Sequence, residues 1–276
     1  MKSLKPRLLT AVIGIPVLLL VIFLCEMWTP LTGILVGIVT AFMIGEYLNA
    51  KGLLKNFALS VPCMVFAFAL CNLISTQYIY ILLTVFMIVA FCVSIFNHKK
   101  IVYLDLAYAL FGTLLISFGM SALPYICNVT PSVSFCFVAI FALPWMADGG
   151  GFFIGASLGK HKLCPSISPK KTVEGAIGGI VFCVLTAVLV GVIFGNFIIP
   201  DTKINLIALI LLGAVDALVS ILGDLSFSLI KRSLNIKDYG SIFPGHGGVL
   251  DRFDSIIFTA PIIVVINQFI PFITVG

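Results

Sequence analysis

The residues with the most chemistry to offer lie between Asp216 and Asp254, in the stretch DALVSILGDLSFSLIKRSLNIKDYGSIFPGHGGVLDRFD. Asp216, Ser220, Asp224, Ser228 and Arg232 recur at i, i+4 steps. On an α-helix such positions form one slowly winding stripe. Acids and hydroxyls therefore share one face of an apolar rod that ends in Lys231-Arg232. The loop beyond supplies Lys237, Asp238, His246, Gly247, Gly248, Asp251, Arg252 and Asp254. Hard cations such as Mg²⁺ take carboxylate oxygens and share their site with substrate phosphates. Asp224, Asp251 and Asp254 are candidates to hold one or two such ions. Lys231, Arg232, Lys237 and Arg252 are candidates to neutralise phosphate oxygens. This combination suits phosphoryl or nucleotidyl transfer, where catalysis is mainly positioning and charge neutralisation. No nucleophilic triad is visible, and none is needed if a phosphate attacks. Gly245, Gly247 and Gly248 allow close backbone approach to a ligand. His246 reads as a loop or nucleotide contact rather than a base, because an ionised phosphate needs no base to activate it.

A second cluster lies upstream, in PWMADGGGFFIGASLGKHKL and CPSISPKKTVEG. Asp148 falls well inside an apolar segment, where an ionisable group is a functional candidate and a further possible metal ligand. Gly151, Gly155 and Gly159 recur every four residues, the small-xxx-small spacing of closely packed helices. Ser168-Pro169 reads as a helix start, with Ser as N-cap and Pro at the first helical position. That reading puts Lys170 and Lys171 in the first turn. Cations there oppose the helix dipole unless a bound anion reverses the interaction, so the pair is a candidate phosphate site.

These residues need elements to carry them, and composition says which. The chain has 276 residues, 61% hydrophobic and 10% charged, with mean hydropathy +1.22. A water-soluble domain carries about 25% charged residues. The expected fold is therefore an all-α polytopic membrane protein. Nine apolar segments are long enough to be spans: 8–25, 28–48, 54–73, 77–96, 101–126, 132–158, 173–199, 204–230 and 254–275. With the N-terminus in the cytoplasm, every basic residue except Lys203 falls on the cytoplasmic side, as the positive-inside rule asks. The net charge of +5 is then topological rather than a nucleic-acid footprint. Residues 1–127 form about five spans, with no repeat or linker. Glu46 and Asp105 lie near span ends and read as snorkelling interface charges. Residues 128–276 carry the chemistry, in cytoplasmic loops 159–172 and 231–253. Within the key helix, Asp224 lies about 12 Å along the axis from Arg232 and Asp216 about 24 Å. The deeper Asp216 reads as a packing residue facing a polar neighbour. The eight cysteines lack CxxC spacing and read as small hydrophobes.

The spaced residues Ser228, Lys231-Arg232, Lys237-Asp238, Gly240, Phe243-Pro244 and His246-Gly247-Gly248-Val249 through Asp251-Arg252-Phe253-Asp254 resemble the signature of the phosphatidate cytidylyltransferases. Asp148 with its glycines, and Gly159-Lys160-His161-Lys162 through Ser168-Pro169-Lys170-Lys171-Thr172, Glu174 and Gly175, are similar to the family's middle region. The resemblance covers roughly 140–255. It implies an all-helical membrane fold and the conversion of CTP and phosphatidate to CDP-diacylglycerol and pyrophosphate with Mg²⁺. It also implies a homodimer in a bilayer, read as a bacterial inner membrane. Asp224 and Asp251 would be metal ligands, and Lys231, Arg232, Lys170 and Lys171 phosphate contacts. Two positions depart from the family: Phe227 stands where Glu is usual, and Gly149-Gly150-Gly151 replaces a stretch that usually holds Thr and Ala. A transporter, an alcohol phosphotransferase and a lipid kinase are the competing readings. The second lacks its pattern here, since Asp148-Gly149 is not followed by Ala-Arg.

Overall fold

A computed structural model describes the backbone of residues 4–200, 202–242 and 247–275; the side chains of residues 4–15 and of residue 275 fall outside the description. Among the described residues the chain forms nine α-helices: α1 Leu4–Met27, α2 Pro30–Ala50, α3 Phe57–Leu73, α4 Ile79–Phe96, α5 Tyr103–Val129, α6 Val133–Leu158, α7 Val173–Ile193, α8 Leu206–Ser233 and α9 Leu250–Phe269. Six of them, α2 and α4 to α8, have the length and apolarity to cross a membrane. Helix is the only open conformation that satisfies every backbone polar group in lipid. That is why the chain stays helical through Pro62, Pro124, Pro144 and Pro261. Large apolar side chains such as Phe96, Phe152, Leu185 and Ile207 are exposed, which a lipid-facing surface accommodates and a water-facing one does not.

The chain divides into two compact units. The first joins Met1–Asn128 to Leu234–Phe253, and the second joins Val129–Ser233 to Asp254–Gly276. The signature loop thus packs with the N-terminal helices, although it follows α8 in sequence.

Glycines set the packing of the second unit. A Cβ on Gly175 of α7 would sit 2.7 Å from the Gly151 carbonyl of α6, and one on Gly179 would sit 2.7 Å from the Ala147 carbonyl. The spacing read as small-xxx-small therefore does mark a close helix crossing. α6 continues without a break through Gly149–Gly151, so the departure from the family pattern leaves the backbone beside Asp148 helical. On the other side of α7, Gly213 of α8 admits the Val184 backbone, whose Cα would lie 2.8 Å from a Cβ placed there. A short antiparallel pair, β3 Thr202–Ile204 with β4 Ile273–Val275, ties the C-terminus to the segment before α8.

Phe227, the residue standing where the family usually has Glu, is fully buried. Its ring meets Phe258 of α9 edge to face, with centroids 6.2 Å apart. Here the position serves packing. Phe227→Ala should cost about 3 kcal/mol or more of stability. Thermal unfolding of the purified protein in detergent checks this, and an unchanged midpoint would show that the ring is not part of the core.

One local expectation is corrected. Ser168 does not start a helix. Ser168–Thr172 is a strand, β2, paired antiparallel with β1 over Lys162–Cys164, and α7 begins at Val173. Thr172 is the N-cap, its Oγ1 accepting from Gly175 N–H at 3.1 Å, with Glu174 in the first turn. The helix dipole explains the choice: an acid in the first turn is favoured where two lysines are not.

Candidate functional site

In the second unit, α6, α7, α8 and the β1–β2 hairpin enclose a pocket of about 460 Å³. Its apolar wall includes Ala147, Phe152, Ala156 and Ile221, and its polar wall includes Asp148, Lys162, Lys170 and Lys171. Glycines at 151, 155 and 175 both let the helices cross and leave room in the pocket. The hairpin that presents the lysines is held by Glu174. Its carboxylate accepts from the backbone N–H of Lys160 at 3.1 Å and of His161 at 3.2 Å, and pairs with His161 Nδ1 at 2.6 Å.

At the pocket's edge Lys171 Nζ forms an ion pair with Asp224 Oδ2 at 2.6 Å. Both side chains are partly exposed, so an incoming ligand can compete for either. Two turns nearer the end of α8, Lys231 is buried, with Nζ 4.0 Å from Asp254 Oδ2. Asp254 lies within electrostatic reach of Asp224, Lys231 and Asp148. The sequence candidates Asp148, Asp224, Asp254, Lys170, Lys171 and Lys231 are thus gathered in one unit. Ser228 is half-buried on α8, and Arg232 is exposed at its end. Asp216 is fully buried, and neither carboxylate oxygen has a hydrogen-bond partner among the described residues. The thiol of Cys183 on α7, itself buried, lies within electrostatic reach of it.

The first unit holds the signature loop. Asn235, with φ +56°, turns the chain out of α8, a conformation Asn tolerates better than most residues. Asp251 is buried, and its Oδ2 accepts from Tyr239 N–H at 2.8 Å and Gly248 N–H at 3.0 Å. Gly247 has φ +84°, which only glycine adopts without strain. A Cβ on Gly248 would lie 2.6 Å from both carboxylate oxygens of Glu46. A side chain of α2 thus approaches this glycine closely. Lys237 and Arg252 are exposed, and His246 lies outside the described residues.

A model of the cytidylyltransferase family matches residues 5–270. The chain belongs to this family. A phosphatidate cytidylyltransferase of Staphylococcus epidermidis is 30% identical over 269 residues, covering 94% of this chain and 97% of that protein. One from Rickettsia bellii is 42% identical over 171 residues, 62% of this chain and 71% of the relative. One from Bacillus subtilis is 47% identical over 117 residues, 42% of this chain and 41% of the relative. In this cytidylyltransferase-family chain, sequence reasoning missed three contributors. Lys162 reads in the sequence as a cytoplasmic charge within the segment similar to the family, and Glu174 only as part of that segment. Glu46 reads in the sequence as a snorkelling charge but is buried, whereas Asp105, read the same way, pairs with Lys51 at 2.8 Å near the end of α2. The available signal for Glu46 was an acid inside an apolar run.

Proposed function

We propose that this chain transfers the cytidylyl group of CTP to phosphatidate, yielding CDP-diacylglycerol and pyrophosphate, at the cytoplasmic face of a bacterial inner membrane. The observation that carries the reading is the two-sided pocket, in which three lysines face an apolar helical wall. A phosphate on a lipid needs both surfaces at once. Pocket volumes of this size are typical of small-molecule sites. A phosphatidate oxygen attacks the α-phosphorus of CTP, the bond to the α–β bridging oxygen breaks, and its electron pair leaves with pyrophosphate. Lys170 and Lys171 hold phosphate oxygens on the hairpin, and Lys231 and Arg232 do so at the end of α8. Ser228, Lys237, His246, Gly247, Gly248 and Arg252 are proposed substrate contacts.

Among the described residues no group of three or more His, Cys, Asp or Glu side chains is arranged to hold a metal ion. Mg²⁺ does not require one: it usually binds through one or two carboxylates and completes its shell with water and substrate phosphates. Asp224, with Asp254 and Asp148 in electrostatic reach, fits that requirement. We propose Asp251 as a ligand as well. When bound, Mg²⁺ would neutralise charge developing on the leaving pyrophosphate. The homodimer implied by the resemblance belongs to the same proposal.

The test uses purified protein in detergent with CTP, phosphatidate and Mg²⁺. Pyrophosphate release and its loss on adding a chelator are expected. Turnover at full rate in excess chelator would remove the metal from the account. A transporter reading would require ion flux without nucleotide; α6, α7 and α8 show no interrupted half-helices to support it.

A further inference from the structure

We propose that Glu46 is a positioning residue for the signature loop, holding Val249 and Leu250 and with them Asp251. The inference rests on the reading of that loop as part of the transfer site. Glu46 is buried on α2, more than two hundred residues from the loop in sequence. Both carboxylate oxygens are engaged there. Oε1 accepts from Val249 N–H at 3.1 Å, and Oε2 accepts from Leu250 N–H at 2.8 Å. Leu250 is the first residue of α9, so Glu46 caps N–H groups that the helix itself leaves without partners. Its negative charge at that end is favoured by the helix dipole. Asp251 takes the neighbouring pair of N–H groups, from Tyr239 and Gly248. Two carboxylates thus bind the four N–H groups of Tyr239, Gly248, Val249 and Leu250.

The support beneath Glu46 is rigid. The next residue, Tyr47, stacks on Tyr108 of α5 with centroids 4.2 Å apart and planes 5° from parallel. Each hydroxyl donates to the other residue's carbonyl, Tyr47 Oη at 3.2 Å and Tyr108 Oη at 2.9 Å. Gly112 leaves the space that the Tyr47 ring fills. Tyr239 of the loop lies against Tyr47, centroids 6.3 Å apart. Gly240 and Gly248 carry no side chain where the Glu46 carboxylate sits, and a Cβ at either would collide with it. Two glycines of the signature are therefore explained by an acid on a distant helix. A loop that displaces its side chains by about 1 Å can lose about a hundredfold in rate.

The test compares wild type, Glu46→Gln, Gly248→Ala and the double variant in detergent. Gln keeps the size but turns an amide NH₂ toward N–H groups. Three results are expected for E46Q. The melting midpoint stays near wild type. kcat/KM per folded molecule falls about ten- to a hundredfold, with KM for CTP raised. Amide exchange at Gly248–Leu250 speeds up while α3 and α4 are unchanged. G248A should show the same kinetic defect, and the double variant should be little worse than either single one, because both substitutions disturb the same contact between the residue-46 side chain and the loop. The proposal is overturned by wild-type kcat, KM and exchange in E46Q. It is also overturned if the lost activity equals the lost folded fraction at unchanged KM, or if the two substitutions act additively. Should E46Q fail to fold, the G248A kinetics and loop exchange decide alone. If wild type forms no CDP-diacylglycerol, the functional reading fails, while loop exchange still reports on Glu46.

Discussion

Asp224→Asn should lower the rate of cytidylyl transfer about a thousandfold or more while the protein stays folded. Asn matches the size of the side chain and removes only its charge. The fold should persist, because the Asn amide oxygen can still accept from the buried Lys171 Nζ. The catalytic cost is large on the proposed reading, because a neutral amide replaces the negative carboxylate that would hold the metal where phosphate charge must be offset. Lys171 would also lose the carboxylate that aims it across the pocket edge. The charge-swapped pair Lys171→Asp with Asp224→Lys separates these contributions. It restores an ion pair, so the melting midpoint should recover, and it puts a cation where a carboxylate is needed, so turnover should not. Recovery of turnover in the swapped protein would make the pair structural only.

Asp251→Asn and Asp251→Ala should both reduce turnover about a hundredfold or more, but only the second should loosen the loop. Oδ2 of Asp251 accepts two amide N–H groups, and an Asn oxygen can do the same. Ala cannot, and it leaves two buried donors without acceptors, at a cost of about 1–3 kcal/mol each. Amide exchange at Tyr239 and Gly248 should therefore be near wild type in D251N and fast in D251A. If D251N turns over like wild type while D251A is dead, the carboxylate only holds the backbone and is no metal ligand.

Much of this was legible in the sequence, for physical reasons. An apolar run in lipid has no choice but helix, so the helices follow from composition alone. The i, i+4 stripe on α8 places Asp224, one turn before Ser228, toward Lys171 without help from other elements. What was illegible depends on contacts between distant segments. The reading of Ser168-Pro169 as a helix start weighed two good cap residues and missed the pairing with Lys162–Cys164, which local propensity does not encode. Glu46 looked like any acid near the end of a span. Its role appears only when Val249, at the end of the loop, and Leu250, the first residue of α9, are presented to it. Phe227 reads in the sequence only as a departure from the family pattern, and in the fold it is a core ring against Phe258.

The most direct measurement of the central claim follows which phosphorus of CTP reaches the lipid. Purified protein is given phosphatidate and Mg²⁺ with CTP labelled at either the α- or the γ-phosphate, and the organic phase is counted. The account expects α-label in the lipid and γ-label in aqueous pyrophosphate, with the lipid signal absent in D224N. Gamma label in the lipid, or undiminished α-label in D224N, would contradict it.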